Sequence, residues 1–170
     1  MNREPTSLTV LAAGGGPLAG RAARILDRVE WPGKPGATVV APLSVDEQRR
    51  FDNGRGLFVS ACIACHQADG RGRERVAPTL VGSPLALARE DVPIRILLNG
   101  KEGATGLMPP LGQALSDDQI ADVLTYIRRQ WGNTAAPVVP EIVRETRAQT
   151  AARTRPWSHD EITALAAGAR

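Results

Sequence analysis

Aromatic side chains are scarce. Trp31, Phe51, Phe58, Tyr126, Trp131 and Trp157 make up only 4% of the 170 residues. A compact domain with so few large rings must fill its interior with something else, and a bound apolar cofactor would serve. Long apolar runs are missing too. A membrane-spanning helix needs about 20 predominantly apolar residues, and the longest weakly apolar stretch, residues 8–19, is broken by Gly14, Gly15, Gly16 and Pro17. It predicts neither a span nor a good helix. Charge of one sign is not in excess: 21 basic against 18 acidic residues give +3, and residues 43–134 carry eleven of each. Basicity this thin argues against a nucleic-acid partner. The cluster Arg71, Arg73, Arg75 reads as a solvated loop. Residues 1–20 have neither the basic start nor the continuous apolar core of a secretory signal. With 42% hydrophobic and 23% charged residues, the chain is nevertheless no disordered polymer.

Punctuation divides the chain into three. Residues 1–42 hold one helical pattern over 18–30, with Leu18, Ala22, Ile25, Leu26 and Val29 on one face. A Pro-Gly-rich linker at 31–36 follows. Residues 43–133 form the central block, residues 134–140 a second, extended linker, and the tail to Arg170 offers two short helices separated by Pro156. In the central block Ser44 with Glu47, and Ser116 with Gln119, are spaced as capping boxes. They predict a helix from there to about Ser60, and one to about Trp131 with Ile120, Val123, Leu124, Ile127 and Trp131 at helical spacing and Gly132-Asn133 as its stop. A middle helix over 91–99 has Pro93 in its first turn and stops at Gly100. A third capping box, Ser158 with Glu161, opens a helix in the tail. The block therefore reads as all-α, with long irregular loops at 66–90 and 100–115. Loops of that length in a small domain are commonly functional.

The only cysteines are Cys62 and Cys65, and His66 follows directly. Cys-X-X-Cys-His is the attachment signature of c-type haem. Two thiols three residues apart can each add to a vinyl group of one porphyrin, and the adjacent histidine then lies under the iron. A dithiol of thioredoxin type would want a strand before the motif, whereas a helix is predicted there. A closed zinc site needs four ligands, and the one other histidine, His159, lies beyond a proline-rich linker. Apart from Met1 the sole methionine is Met108, in Leu107-Met-Pro-Pro-Leu111. Methionine ordinarily fills gaps in a core. Here Pro109 and Pro110 stiffen the segment and oppose helix, which suits delivery of a thioether to the far face of the iron. His66/Met108 ligation would raise the potential and leave no open coordination position, as electron transfer requires and catalysis does not.

These motifs together resemble a class I monohaem cytochrome c domain over residues 44–133. The elements of the likeness are the N-terminal helix, Cys62-Ile-Ala-Cys65-His66, Pro78-Thr-Leu80, a middle helix ending at Gly100, Met108-Pro109 and a C-terminal helix containing Tyr126. The resemblance implies three main helices and long loops around one covalently bound haem. It also implies that the carbonyl of Pro78 accepts a hydrogen bond from His66 and so orients the iron-bound imidazole. In the family the first and last helices cross closely, which fits Gly54 and Phe58 against Tyr126 and Ile127. The haem would be buried among Phe51, Phe58, Leu80, Leu97, Leu98, Leu107, Leu111, Val123, Leu124 and Ile127.

The block is similar, more narrowly, to haem domains appended to bacterial periplasmic dehydrogenase-like or helical-repeat proteins, and residues 18–35 look like the last helix of a repeat array. The chain is then expected to belong to a longer, periplasmic protein, which would account for the missing signal. The expected function is electron transfer, from a dehydrogenase to a respiratory chain through a terminal oxidase or another cytochrome. The alternatives are the cytochrome part of a sugar or alcohol dehydrogenase complex, and a haem-based gas sensor with a labile Met108. No catalytic residue is expected in the chain itself.

Overall fold

The computed structural model describes residues 4–29, 31, 34, 40–103 and 106–168. They fall into two compact units, residues 1–41 and 42–170. In the first, α1 (Thr6–Ala13) and α2 (Ala19–Arg28) pack on each other. Helix α1 occupies the stretch expected to be a poor helix. It is only eight residues long and stops where the glycines begin, at Gly14, so the breakers set its end without preventing its start. Ala22 is buried on α2, and the Lys34 ammonium donates to the carbonyls of Asp27 and Val29, each at 3.0 Å, within 5.4 Å of the Trp31 ring centroid. The linker expected at 31–36 lies for the most part outside the described residues.

The second unit is built on α3 (Val45–Leu57) and α6 (Asp117–Arg129). Both start with the capping boxes read from the sequence: Ser44 Oγ accepts from the Glu47 amide while the Glu47 carboxylate takes the Ser44 amide, and Ser116 with Gln119 does the same. The two helices cross at Gly54. A Cβ there would collide with the carbonyl of Asp122 and come within 2.9 Å of Tyr126 Cβ. On the flank of the crossing the Asp122 carboxylate accepts from Asn53 (3.2 Å) and Arg50 (3.4 Å). The scarce rings are concentrated here, with Phe51, Phe58, Tyr126 and Trp131 in contact at centroid distances of 5.1–5.5 Å.

Helix α3 runs on through a π-helical turn, Phe58–Cys62, into α4 (Ile63–His66). Helix α5 (Asp91–Asn99) buries Val92, Ile94, Leu97 and Leu98. Residues 100–115 are not wholly irregular as expected: β1 (Lys101–Gly103) and β2 (Gly106–Met108) form a small antiparallel pair in which Lys101 faces Met108. Helix α6 ends two residues early, at Arg129. Trp131 adopts a left-handed backbone (φ 57°) and leaves the helical stripe to which its spacing assigned it, so that its ring can lie across Gly70, where a Cβ would be 2.7 Å away.

The tail packs on this scaffold. Helix α7 (Pro140–Gln149) lies against α5 and α6, and α8 (His159–Ala167) against α5 and β1. Residues 134–139 are irregular in backbone, yet Val138 is fully buried and exchanges hydrogen bonds with Thr125 Oγ1 in both directions. Arg128, also buried, donates to the carbonyls of Ala86, Ala88 and Ala136 and so joins α6, the loop before α5 and this segment.

Candidate haem-binding site

The site begins with the π turn. At regular α-helical pitch, two four-residue steps drift about 80° around the axis. The wider turn, closed by the Ile63 amide on the Phe58 carbonyl, reduces that drift and puts Phe58, Cys62 and His66 on one buried face. Such single wide turns recur where a helix must re-aim side chains. Cys65, between Cys62 and His66 on the helix, is exposed. The Cys62 thiol is pushed up to about 11, first by burial and second by the neighbouring Cys65. It is a neutral thiol at physiological pH.

His66 ends the helix, and Gln67 (φ 60°) turns the chain away. The following loop folds back over the histidine. The Gly72 amide donates to the His66 carbonyl (3.0 Å) and the Leu80 amide to the Gly70 carbonyl (2.7 Å). At Gly72 (φ 75°) a Cβ would sit 2.6 Å from the Pro78 oxygen, so only glycine allows the two arms of the loop to lie this close. The loop thereby brings the Pro78 carbonyl to 3.2 Å from His66 Nδ1. A carbonyl can only accept, so Nδ1 carries the hydrogen and Nε2 keeps its lone pair. Burial lowers the His66 pKa, outweighing the bond to Pro78, which raises it. The ring is neutral, with one nitrogen engaged and the other available as a ligand.

Met108 ends β2, half-buried against the core cluster that includes Cys62, together with Leu80, Leu111 and Ile63. It therefore stands on a strand end and not on an irregular loop; the two prolines after it are exposed and irregular. Leu107, expected among the buried apolar residues, is 57% exposed, because alternate residues of β2 point to opposite sides. Phe51 and Phe58 are buried in the α3–α6 crossing.

Several supporting residues escaped the sequence reading. Asn133, read only as part of a helix stop, donates to the carbonyls of Leu80 and Ile127 and accepts from the Gly82 amide. The Trp131 indole donates to the carbonyl of Ala68. Both tie the end of α6 to the loop carrying Pro78. A polar side chain directly after a helix-stop glycine was the available signal for Asn133; nothing in the sequence marked the long-range partner of either.

The donor set fits a c-type haem better than a bare ion. Two thiols and a ligand-ready imidazole lie on one helix end, with a thioether among partly covered apolar side chains. Among the described residues no group of three or more His, Cys, Asp or Glu could hold a metal ion.

Comparison with known proteins agrees. The family model described as cytochrome c oxidase, cbb3-type, subunit III matches residues 49–127. Cytochrome c-554(548) of Halomonas halodenitrificans is 33% identical over 72 residues, which are 42% of this chain and 87% of that protein. The chain belongs to the cytochrome c family. This cytochrome is also similar to the fructose dehydrogenase cytochrome subunit of Gluconobacter japonicus, at 29% identity over 148 residues covering 78% of the chain and 30% of that subunit. The gluconate 2-dehydrogenase cytochrome c subunit of Pantoea cypripedii is 35% identical over 95 residues, 51% of the chain and 22% of that protein. The cytochrome thus spans less than a third of the length of these dehydrogenase subunits. Membership implies a haem c cofactor and an all-α cytochrome fold, in an electron-carrying and not a catalytic domain. No helix among the described residues is long and apolar enough to cross a membrane.

Proposed function

We propose that the chain transfers electrons by one covalently attached c-type haem, held by the sulfurs of Cys62 and Cys65 with His66 and Met108 as axial ligands. Residues 43–133 are the haem domain, with its three main helices α3, α5 and α6. Residues 1–42 form an extension that ends an upstream helical array, and 134–170 a tail. The single observation that carries the reading is the His66 Nδ1···Pro78 contact at 3.2 Å. A histidine next to a Cys-X-X-Cys pair, with Nδ1 committed to a backbone carbonyl, is prepared to bind metal through Nε2 in a fixed orientation. Haem, when bound, supplies a reversible one-electron couple. The protein's part is to hold the imidazole neutral and oriented, to present a thioether, and to keep water away with the apolar side chains around Met108.

The similarity to cytochrome subunits of fructose, gluconate and alcohol dehydrogenases supports a dehydrogenase complex acting on a sugar, sugar acid or alcohol as the electron donor. The acceptor is a respiratory chain, through another cytochrome or a terminal oxidase. Thioether attachment places the protein in the periplasm. The neutral balance of residues 43–134 favours a small, weakly steered interface. Mass spectrometry of exported protein tests the assignment. One haem mass should be added to the wild type and none to Cys62→Ser/Cys65→Ser, and Met108→Ala should lose the weak red absorption band of thioether-ligated ferric haem. A colourless, cooperatively folded exported chain would overturn the proposal.

A further inference from the structure

The tail contributes to the Met108 segment at both of its ends. On the entry side, Trp157 extends the β1–β2 pair. Its amide donates to the Gly100 carbonyl (3.0 Å) and its carbonyl accepts from the Glu102 amide (2.8 Å), making a parallel bridge to Lys101, whose antiparallel partner is Met108. Three backbones thus lie side by side in the order Trp157, Lys101, Met108. The Trp157 ring is fixed in turn: its indole donates to Asn99 (3.3 Å), and the Arg153 guanidinium lies 3.5 Å from its centroid, held by Glu161 at 2.7 Å. On the exit side, Arg147 of α7 donates to the carbonyls of Gly112 and Leu115 and to the Asp117 carboxylate (2.8 Å). One planar guanidinium therefore joins the loop after Met108 to the first turn of α6.

We propose that the C-terminal tail is a two-point clamp that positions Met108, with Trp157 and Arg147 as positioning residues. The inference rests on the reading of Met108 as an axial ligand and deepens it. A thioether is a weak ligand, so its hold on the iron depends on how little the chain gains by releasing it. Fixing both flanks of the segment removes that gain. Two residues 39 and 49 positions downstream of Met108 thereby govern how readily the iron takes a foreign ligand.

The test uses full-length, haem-loaded protein and imidazole as the competing ligand. Arg147→Gln and Trp157→Ala should each bind imidazole about tenfold more tightly, within the usual span of coupling between two sites, and their Glu102, Gly112 and Leu115 amides should exchange faster. Trp157→Phe, which keeps a ring beside Arg153, should restore most of the wild-type affinity. A merely structural role would lower the melting temperature and leave imidazole affinity unchanged. That result, in variants that still fold and carry haem, overturns the clamp while leaving the proposed function intact, provided Met108→Ala has lost the red band. If Met108→Ala keeps the band, the ligand assignment and the clamp both fall.

Discussion

Two glycines two residues apart in α3, and so on roughly opposite sides of the helix, answer oppositely to the same change, because their surroundings differ and their backbones do not. At Gly54 an added Cβ runs into the Asp122 carbonyl and Tyr126 Cβ. Neither atom is the free end of a flexible side chain, so the helices must separate. Gly54→Ala should destabilise by roughly 3 kcal/mol or more, at the upper end of overpacking costs. At Gly56 nothing lies within 4 Å of the added carbon, and Gly56→Ala should stabilise by about 1 kcal/mol through helix propensity alone. Denaturant titration of the two variants checks both signs. If Gly54→Ala melts like the wild type, the close crossing is wrong. The sequence made the first of these legible, since a glycine in mid-helix asks for a reason. It was silent on Trp131, whose regular spacing suggested a helical stripe. Its left-handed backbone costs about 1–2 kcal/mol and is held by ring contacts with Phe58, Tyr126 and Gly70, all from residues distant in sequence or added by the fold.

Helix starts were the most legible elements, because a capping box satisfies its own amides locally and needs no tertiary partner. All three appear in the structure. Strands β1 and β2 were missed for the converse reason: three-residue strands carry no periodicity, and their partner across the tail, Trp157, is 56 residues from Lys101. The cap of α8 has a consequence that depends on pH. Glu161 accepts from the Ser158 amide (2.9 Å) and from Arg153 and Arg155 (2.7 Å each). These bonds, the one to the Ser158 backbone foremost, hold its pKa down from an ordinary 4.5 to about 2. A lowered carboxylate pKa stabilises the fold fully above the ordinary value and loses that contribution as pH falls toward the shifted one. The start of α8 should therefore loosen between pH 4.5 and about 2, seen as a cooperative change in the Ser158 and Glu161 amide resonances. Glu161→Gln, which can still accept but carries no charge, should abolish that titration and not the helix.

For the whole of the second unit, the distribution of burial separates two regions with different sources of stability. The side of α6 facing α3, α5 and α7 is closed by protein alone: Ile120, Val123, Leu124, Val138 and Val143 are within 3% of full burial. The side carrying Pro78, Leu80, Met108 and Leu111 is only partly covered by protein, and its backbone bonds are mostly those of loops. A single small domain has little surplus stability, so the second region should depend on the cofactor far more than the first. In the Cys62→Ser/Cys65→Ser chain, amides of 120–127 should remain among the slowest to exchange. Those of 70–82 and 106–112 should exchange orders of magnitude faster than in the haem-loaded protein, since local opening follows local contact density. Equal slowing of both regions by haem attachment would mean that the cofactor supports the entire core and that the α3–α6 crossing is not self-sufficient. Retained protection at 70–82 without haem would mean that Asn133, Trp131 and the glycines of that loop hold Pro78 in place unaided. The orientation of His66 would then be a property of the folded chain before any iron arrives.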